Sequence, residues 1–476
     1  MSDPRTLRRA ILAAPLETSS FGEPPRPGTL YVPPAHEKAL RPEANLVVGG
    51  RGVGKSFWTA ALKSPELRRQ IGSTVTALDR ADVHVGFSLE GDIDRYPDAA
   101  TFAHLLTQGT DPYDIWRAVI LKWLAEKSAL PLPETWAGRL AWMQAHPEEV
   151  ARRVQSSQQA FGPDMFGMIV FDALDRSAHD WRTMDAIVRG LLRAVLWLKS
   201  FPWLRAKVFL RSDQEERTIT DFPDASKLLA TKAELSWAPH DLHGMLWLRL
   251  INAPDTHGEC LRTLYRNTVG NPPVSRDGSF QLPDPLKRAG PTQRALFEAL
   301  AGPWMGKDKR RGVPYTWAIG HLADSRGQIS PRSFLAAIAQ ATEDSQERYD
   351  DYPLALHYES IKRGIQKASD IRVAEIAEDY PWVRTFLDGR LRGLNVPCEF
   401  ERIVDRWQQA FPEGPGSAPT DDRLPPQHAE RGWAGLRDDL IRLGVLELKK
   451  DSRIDMPDLY RVGFGLGRKG GVKPKG

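Results

Sequence analysis

Cysteine is almost absent from this chain. Cys260 and Cys398 are the only two in 476 residues. Their separation excludes a disulfide framework and a cysteine-based zinc site, and it suits a reducing, cytoplasmic setting. Long hydrophobic runs are missing too. None approaches the length of a membrane span, so no membrane partner is expected. The opening stretch, with Arg5, Arg8 and Arg9 ahead of Ala10 to Pro15, imitates a signal peptide, but its apolar core is too short for one. Nor is one sign of charge in excess: 65 Lys and Arg stand against 61 Asp and Glu, a formal charge of +4. Bulk charge therefore makes no case for nucleic acid, and any such role must come from a local patch. No internal repeat is seen. The remainder, 41% hydrophobic and 26% charged, is the composition of a globular chain long enough for several domains.

The strongest positive signal is the run Gly49, Gly50, Arg51, Gly52, Val53, Gly54, Lys55, Ser56, which fits G-x-x-x-x-G-K-[ST] without a mismatch. Leu46, Val47 and Val48 lead into it as a strand, and Ser56, Phe57 and onward to Leu62 read as the first turns of a helix. That context makes a phosphate-binding loop. Glycines let backbone N–H groups curl round phosphate oxygens, and the helix N-terminus adds partial positive charge. Lys55 is expected to reach the β- and γ-phosphates of a nucleotide, and the Ser56 hydroxyl to ligate Mg²⁺.

Around this loop the pattern alternates strand and helix. Asp82 to Phe87 alternates apolar and polar residues, Met165 to Phe171 is a continuous apolar run, and Ala206 to Leu210 and Ala233 to Trp237 complete five strands. Residues 112–128, 135–157, 183–198 and 241–251 read as helices, with Trp116 and Trp123 as core residues. Such alternation predicts a parallel sheet. The first 40 residues hold one short helix and a Pro-rich stretch (Pro24, Pro25, Pro27, Pro33, Pro34), read as an arm laid over the domain that follows. Beyond 255 the strand signal fades. Gly270-Asn271-Pro272-Pro273 is a breaker, residues 291–410 read as helical, and Glu413 to Pro419 has linker composition. Trp433 to Leu443 reads as a helix, Val445 to Leu448 as apolar, and Ile454 to Val462 as a strand pair. The tail from Arg468 to Lys475 is basic.

A phosphate loop needs a carboxylate for the hydrated Mg²⁺, and Asp172 stands where a buried strand ends, as ligands of such sheets require. Small Ala173 leaves room beside it. Asp175 is the candidate to orient the attacking water, and Arg176 its candidate partner. Arg211, at the tip of the next strand, is a candidate γ-phosphate sensor. Arg332, in a helix start at Ser330-Pro331, is a candidate lid arginine.

These residues resemble the AAA+-like branch of P-loop ATPases, and within it the STAND and KAP-type ATPases found among bacterial antiviral-defence and prophage genes. Asp172-Ala173-Leu174-Asp175 is similar to the acidic pattern that follows the Mg²⁺ strand of STAND proteins. Val208 to Asp213, Glu234 to Trp237 and Asp241-Leu242 look like the same group. Gly270-Asn271-Pro272 resembles its lid motif, and Ser330-Pro331-Arg332 the lid arginine of AAA+ proteins. The C-terminal segment resembles a winged helix. The Asp-Glu pair of AAA+ motors is missing, so Asp175 stands in for the Glu. The fold class implied is α/β, a P-loop NTPase with a parallel five-stranded core sheet, then a helical lid and a winged-helix-like domain. The limits are 1–40 for the arm, 41–255 for the ATPase, 256–412 for the lid and 420–476 for the last domain.

No Leu-Ser-Gly-Gly-Gln run is present, which argues against an ABC ATPase. Thr231-Lys232-Ala233-Glu234 is a poor substitute for a GTPase base motif, so ATP is favoured over GTP. The expected function is an ATP-hydrolysing switch that uses ATP, ADP and Mg²⁺. Lys55, Asp172 and Asp175 carry the chemistry, with control over homo-oligomerisation and over a separate effector protein. The antiviral setting rests on the resemblance alone. The alternative is an initiator or loader that grips double-stranded DNA with Arg431, Arg437 and Arg442 of the last helix and the basic tail. An inactive nucleotide-binding scaffold is a third possibility.

Overall fold

The computed structural model describes residues 3–17, 25–215, 218–276, 278–419 and 424–474. Pro24 of the Pro-rich stretch and Lys475 of the tail lie outside them. The chain divides into two units. Pro34–Ser236 makes up the first, and Trp237 onward joins the N-terminal segments in the second.

The first unit is built on five parallel strands: β1 (Leu46–Gly49), β2 (Ala81–Phe87), β3 (Phe166–Phe171), β4 (Leu204–Arg211) and β5 (Ala233–Leu235). Their spatial order is β2-β3-β4-β1-β5, so β4 lies between the strand that leads to the phosphate loop and the strand that ends at Asp172. Met168 to Phe171 and Val208 to Leu210 are buried on both faces, which is why these segments read as unbroken apolar runs. Helix Pro112–Lys127 starts where Asp111 accepts a bond from the Tyr113 N–H and Pro112 supplies a fixed φ. Its Trp116 is core, with the indole N–H donating to the Ile187 carbonyl at 2.9 Å. The predicted helix over 135–157 is two, Trp136–Ala145 and Pro147–Ser156, because Pro147 cannot continue the first. Lys207, in the middle of buried β4, donates to the carbonyls of Ala39 (2.7 Å), Arg41 (3.0 Å) and Ala44 (2.8 Å). Three acceptors match the three protons of an ammonium, and they tie the segment ahead of β1 to the sheet.

The second unit is helical apart from two short hairpins, Val274–Arg276 with Ser279–Gln281 and Glu447–Leu448 with Ile454–Asp455. Its first element is the N-terminal helix Pro4–Ala13. Arg8 is wholly buried there and donates to the carbonyls of Asp350, Tyr352, Leu354 and Ala355 at 2.8 to 3.0 Å. Arg249 likewise holds the Pro15 and Glu17 carbonyls. The N-terminal helix is thus a component of the helical unit, not an arm on the α/β one. Helix Pro239–Ile251 also falls in this unit. Leu242, Leu246 and Leu250 share one face of it, yet every residue from Asp241 to Ile251 is buried among the helices Asp255–Val269, Pro291–Ala301 and Pro331–Arg348. Gly270 stops Asp255–Val269 in a left-handed conformation. Helices Pro331–Arg348 and Tyr358–Asp379 meet so closely that a Cβ on Gly364 would lie 2.2 Å from the Ala337 carbonyl oxygen.

Near the C-terminus the Gly-Pro-rich stretch is a loop inside one packed layer, since Trp407 of helix Phe400–Ala410 stacks on Trp433 of helix Gly432–Arg442 at 5.5 Å. Cys398 bridges to Ile454 and widens the small hairpin there. Only Ile454–Asp455 of the expected strand pair is extended. Pro457 starts a helical turn, Asp458–Arg461, and Arg461 is buried, bonded to Asp458 and to the carbonyls of Leu466 and Val472.

Two histidines are fully buried in this fold. His243 stacks on Tyr315 at 4.0 Å and contacts the Tyr315 carbonyl through Nε2, and burial pushes its pKa down to about 3. His36 accepts from the Trp58 indole and is pushed down to about 4. An unfolded chain binds these protons from about pH 6.5, so stability is lost as pH falls below that value, by about 1 kcal/mol per histidine for each pH unit. In chemical denaturation, the stability gap between wild type and His243→Leu should therefore narrow from pH 6.5 to pH 4. A constant gap would contradict a neutral His243.

Candidate functional site

β1 runs straight into the glycine loop. Gly52 and Gly54 take φ of +75° and +107°, where any residue with a Cβ is strained. Gly54 caps helix Lys55–Lys63. A Cβ on Gly49 would sit 2.7 Å from Val53 Cγ2 and 3.1 Å from Leu235 Cβ. Val53 is buried, and Phe57 packs edge-on against Trp58 at 5.1 Å, which fixes the start of the helix. Gly50 leaves the strand, and Arg51 and Gly52 form the turn that follows. The Lys55 ammonium folds back over the loop and donates to the carbonyls of Gly49 (3.0 Å) and Gly50 (2.7 Å).

β3 delivers Asp172, which is buried. Its carboxylate is hydrogen-bonded to the Ser56 side chain, and its N–H to the Phe87 carbonyl at 2.9 Å. Ala173 takes φ +57°, a left-handed conformation that costs an alanine about 1–2 kcal/mol. It turns the chain into the short helix Leu174–Arg176 and returns Asp175 to the sheet edge. Arg176 is exposed.

β4 contributes the remaining charges. The register sets Arg211 opposite Gly49. The Arg211 guanidinium is 3.7 Å from Asp175 and 3.1 Å from Asp213, and the Arg211 backbone N–H donates to Gln214 Oε1 at 3.1 Å. Two cations and three carboxylates thus share the ends of three strands. Withdrawal from water, then repulsion by Arg211, lowers the Lys55 pKa to about 8 against the pull of Asp172, Asp175 and Asp213. Burial raises that of Asp172, and the Ser56 bond and Lys55 offset part of the rise.

The donor set fits a nucleotide-bound Mg²⁺. No cluster of three or more His, Cys, Asp or Glu capable of holding a metal occurs among the described residues. Ser56 and Asp172 instead offer one hydroxyl and one buried carboxylate, the sparse oxygen set of an ion that keeps its waters and takes phosphate oxygens. Arg332 belongs to the other, helical unit, where its guanidinium meets Glu375 at 2.7 Å. Asp213 and Gln214 carry no local sequence signal of a role. The signal that finds them is the Gly49–Arg211 register, which exists only in three dimensions.

The sequence matches no protein-family model and no curated protein. Among solved structures, it is similar to Cdc6p from Pyrobaculum aerophilum at 12% identity, over 87% of this chain and 84% of that one, with a TM-score of 0.30. It is similar to the Aeropyrum pernix ORC1 protein in complex with DNA at 13%, over 90% and 91%, with a TM-score of 0.33. It is also similar to the Aeropyrum pernix ORC2 protein with ADPNP and ADP at 12%, over 87% and 84%, with a TM-score of 0.37. Superpositions this loose carry no argument about what this chain does. The narrower resemblance to STAND and KAP-type ATPases finds no support in them. The α/β P-loop fold stands on the motif, the strand–loop–helix and the sheet themselves.

Removing one of the three carboxylates should favour an anionic ligand. Asp213→Asn is expected to tighten Mg·ATP by about 1 kcal/mol, roughly fivefold, in a fluorescent-nucleotide titration. Weaker binding would show that Asp213 acts mainly by holding Arg211 in place.

Proposed function

We propose that the protein is a Mg·ATP-binding and ATP-hydrolysing switch, in which Arg211 reports the γ-phosphate and Asp175 orients the attacking water. The observation that carries this reading is the ion pair between Arg211 and Asp175 beside the phosphate loop. Backbone N–H groups of Gly50 to Ser56 hold the phosphates. Lys55 exchanges the Gly49 and Gly50 carbonyls for phosphate oxygens. Ser56 and Asp172 hold Mg²⁺, which neutralises charge on the phosphates when bound. A γ-phosphate draws Arg211 away from Asp175, and the freed carboxylate accepts a hydrogen bond from water. After hydrolysis Arg211 returns to Asp175. Two states differ by these contacts, which is what a nucleotide switch requires. Arg332 remains a candidate lid contact.

The switch acts on assembly, on a partner protein or on nucleic acid. For an initiator or loader that grips DNA with the last helix, the charges are unfavourable. Arg431 and Arg437 both pair with Asp438, at 3.2 and 2.8 Å, and Arg442 donates to Gln427 at 3.0 Å. Arg468 of the tail is bound to Asp455 and Asp458.

Asp175→Ala should bind ATP as tightly as wild type or more tightly, and lose turnover by at least ~100-fold. Wild-type turnover would remove Asp175 from catalysis. Light scattering with ATP, with ADP and with duplex DNA then separates the targets. A larger species with ATP alone supports a protein-directed switch, and one that needs DNA supports a loader.

A further inference from the structure

The C-terminal arginines are engaged with acids or amides, but another cluster of cations is not. In the helical unit, between helices Pro291–Ala301 and Pro314–Gly320, the chain reads Gly306-Lys307-Asp308-Lys309-Arg310-Arg311-Gly312. Lys307, Lys309, Arg310 and Arg311 are all exposed. Among the described residues none of the four has an ion-pair partner. Asp308, the one acid in the loop, is also exposed, and its carboxylate is engaged locally: it accepts the Arg310 backbone N–H at 2.8 Å and caps the short helix Lys309–Arg311, leaving the loop a net charge of +3.

The loop is held in shape at both ends. The Met305 N–H donates to the Gly312 carbonyl at 2.8 Å, and Met305 is buried. Gly306 and Gly312 take φ of +146° and +97°, conformations unavailable to other residues without strain. A Cβ on Gly312 would lie 3.0 Å from Trp317 Cδ1, so the half-buried Trp317 ring lies against the loop. It stacks in turn on His321 at 3.9 Å. Three successive residues of a tight helix point about 120° apart, so Lys309, Arg310 and Arg311 fan outward from a fixed base. Four like charges in five residues repel one another, and an anionic partner relieves that repulsion.

The chemistry of the partner follows from what the loop lacks. Among the described residues the exposed large apolar side chains are Ile93, Leu130, Met165, Leu229, Val274 and Leu448, and none belongs to it. A protein interface has an apolar centre inside its polar rim, and membrane binding needs an apolar face to insert. A ligand bound through charge alone is a chain of phosphates. We propose that the loop Gly306–Gly312 binds the phosphodiester backbone of a nucleic acid, with Lys307, Lys309, Arg310 and Arg311 as the phosphate contacts. The inference stands apart from the nucleotide reading, because none of these residues belongs to the phosphate-loop site.

The test is fluorescence anisotropy on the full chain with a labelled DNA duplex, the same strand alone and its RNA counterpart. It runs from 50 to 300 mM salt, with Mg·ATP, Mg·ADP and no nucleotide. The loop variant is Lys307→Gln, Lys309→Gln, Arg310→Gln and Arg311→Gln combined. The comparison variant is Arg431→Gln, Arg437→Gln and Arg442→Gln combined. The loop variant should lose roughly 10–100-fold in affinity at 100 mM salt, and its plot of log affinity against log salt should be shallower by about 3. Its melting temperature and Mg·ATP affinity should stay at wild-type values. Duplex and single strands share this chemistry, and the three probes rank them. Unchanged affinity and slope in the loop variant would overturn the inference. So would loss of binding in the comparison variant alone, absence of nucleic-acid binding by the wild type, or equally strong loop-dependent binding of polyglutamate.

Discussion

The structure depends on a crowding of charge. Lys55 and Arg211 face Asp172, Asp175 and Asp213 at the ends of β1, β3 and β4. The glycine loop beside them is shaped for anions, yet carboxylates outnumber cations within the cluster. By charge alone a polyphosphate would meet net repulsion there, and a divalent ion held by Ser56 and Asp172 would convert that repulsion into attraction. On the proposed function, metal dependence follows from the charge balance as well as from the Ser56–Asp172 pair. Much else serves to hold these groups still. β4 sits between the other two strands so that Arg211 meets Gly49. Lys207 ties the approach to β1, and Ala173 accepts a strained backbone to return Asp175 to the edge.

The division into units gives this cluster a setting. The chain starts in the helical unit, leaves it near Pro33 to build the sheet, and re-enters at Trp237. The α/β unit is thus inserted in the sequence of the helical one. Two buried arginines secure the N-terminal segment to the helical unit: Arg8 against the 350–355 loop and Arg249 against Pro15 and Glu17. In each case the guanidinium satisfies backbone carbonyls that burial would otherwise leave unpaired.

The core sheet was legible because its strands are buried on both faces and read as apolar runs, and because a glycine-rich phosphate loop has few other uses. Asp172 was legible because a carboxylate at the end of such a run has a specific place. What could not be read was whatever depended on neighbours far away in sequence. Nothing local distinguishes Arg8 from Arg5, yet one is wholly buried and the other exposed on Asp350 and Asp351. Lys207 in a buried strand contradicts the pattern, and three carbonyls from another segment explain it. Arg332 has the local context of a lid arginine, and its bond to Glu375, 43 positions on, has no local signal. The division at 236, and not at 255, was hidden because a helix buried all round still shows a regular leucine spacing.

The central claim is that Asp172 and Ser56 bring a divalent ion to a site that otherwise repels nucleotide. The most direct measurement is ATP affinity with Mg²⁺ and with EDTA, in wild type and in Asp172→Asn. The account predicts that Mg²⁺ tightens ATP by at least ~10-fold in wild type, and that most of this gain disappears in the variant, whose affinity in EDTA rises. Equal affinity in Mg²⁺ and EDTA, or the same gain in both proteins, would contradict it.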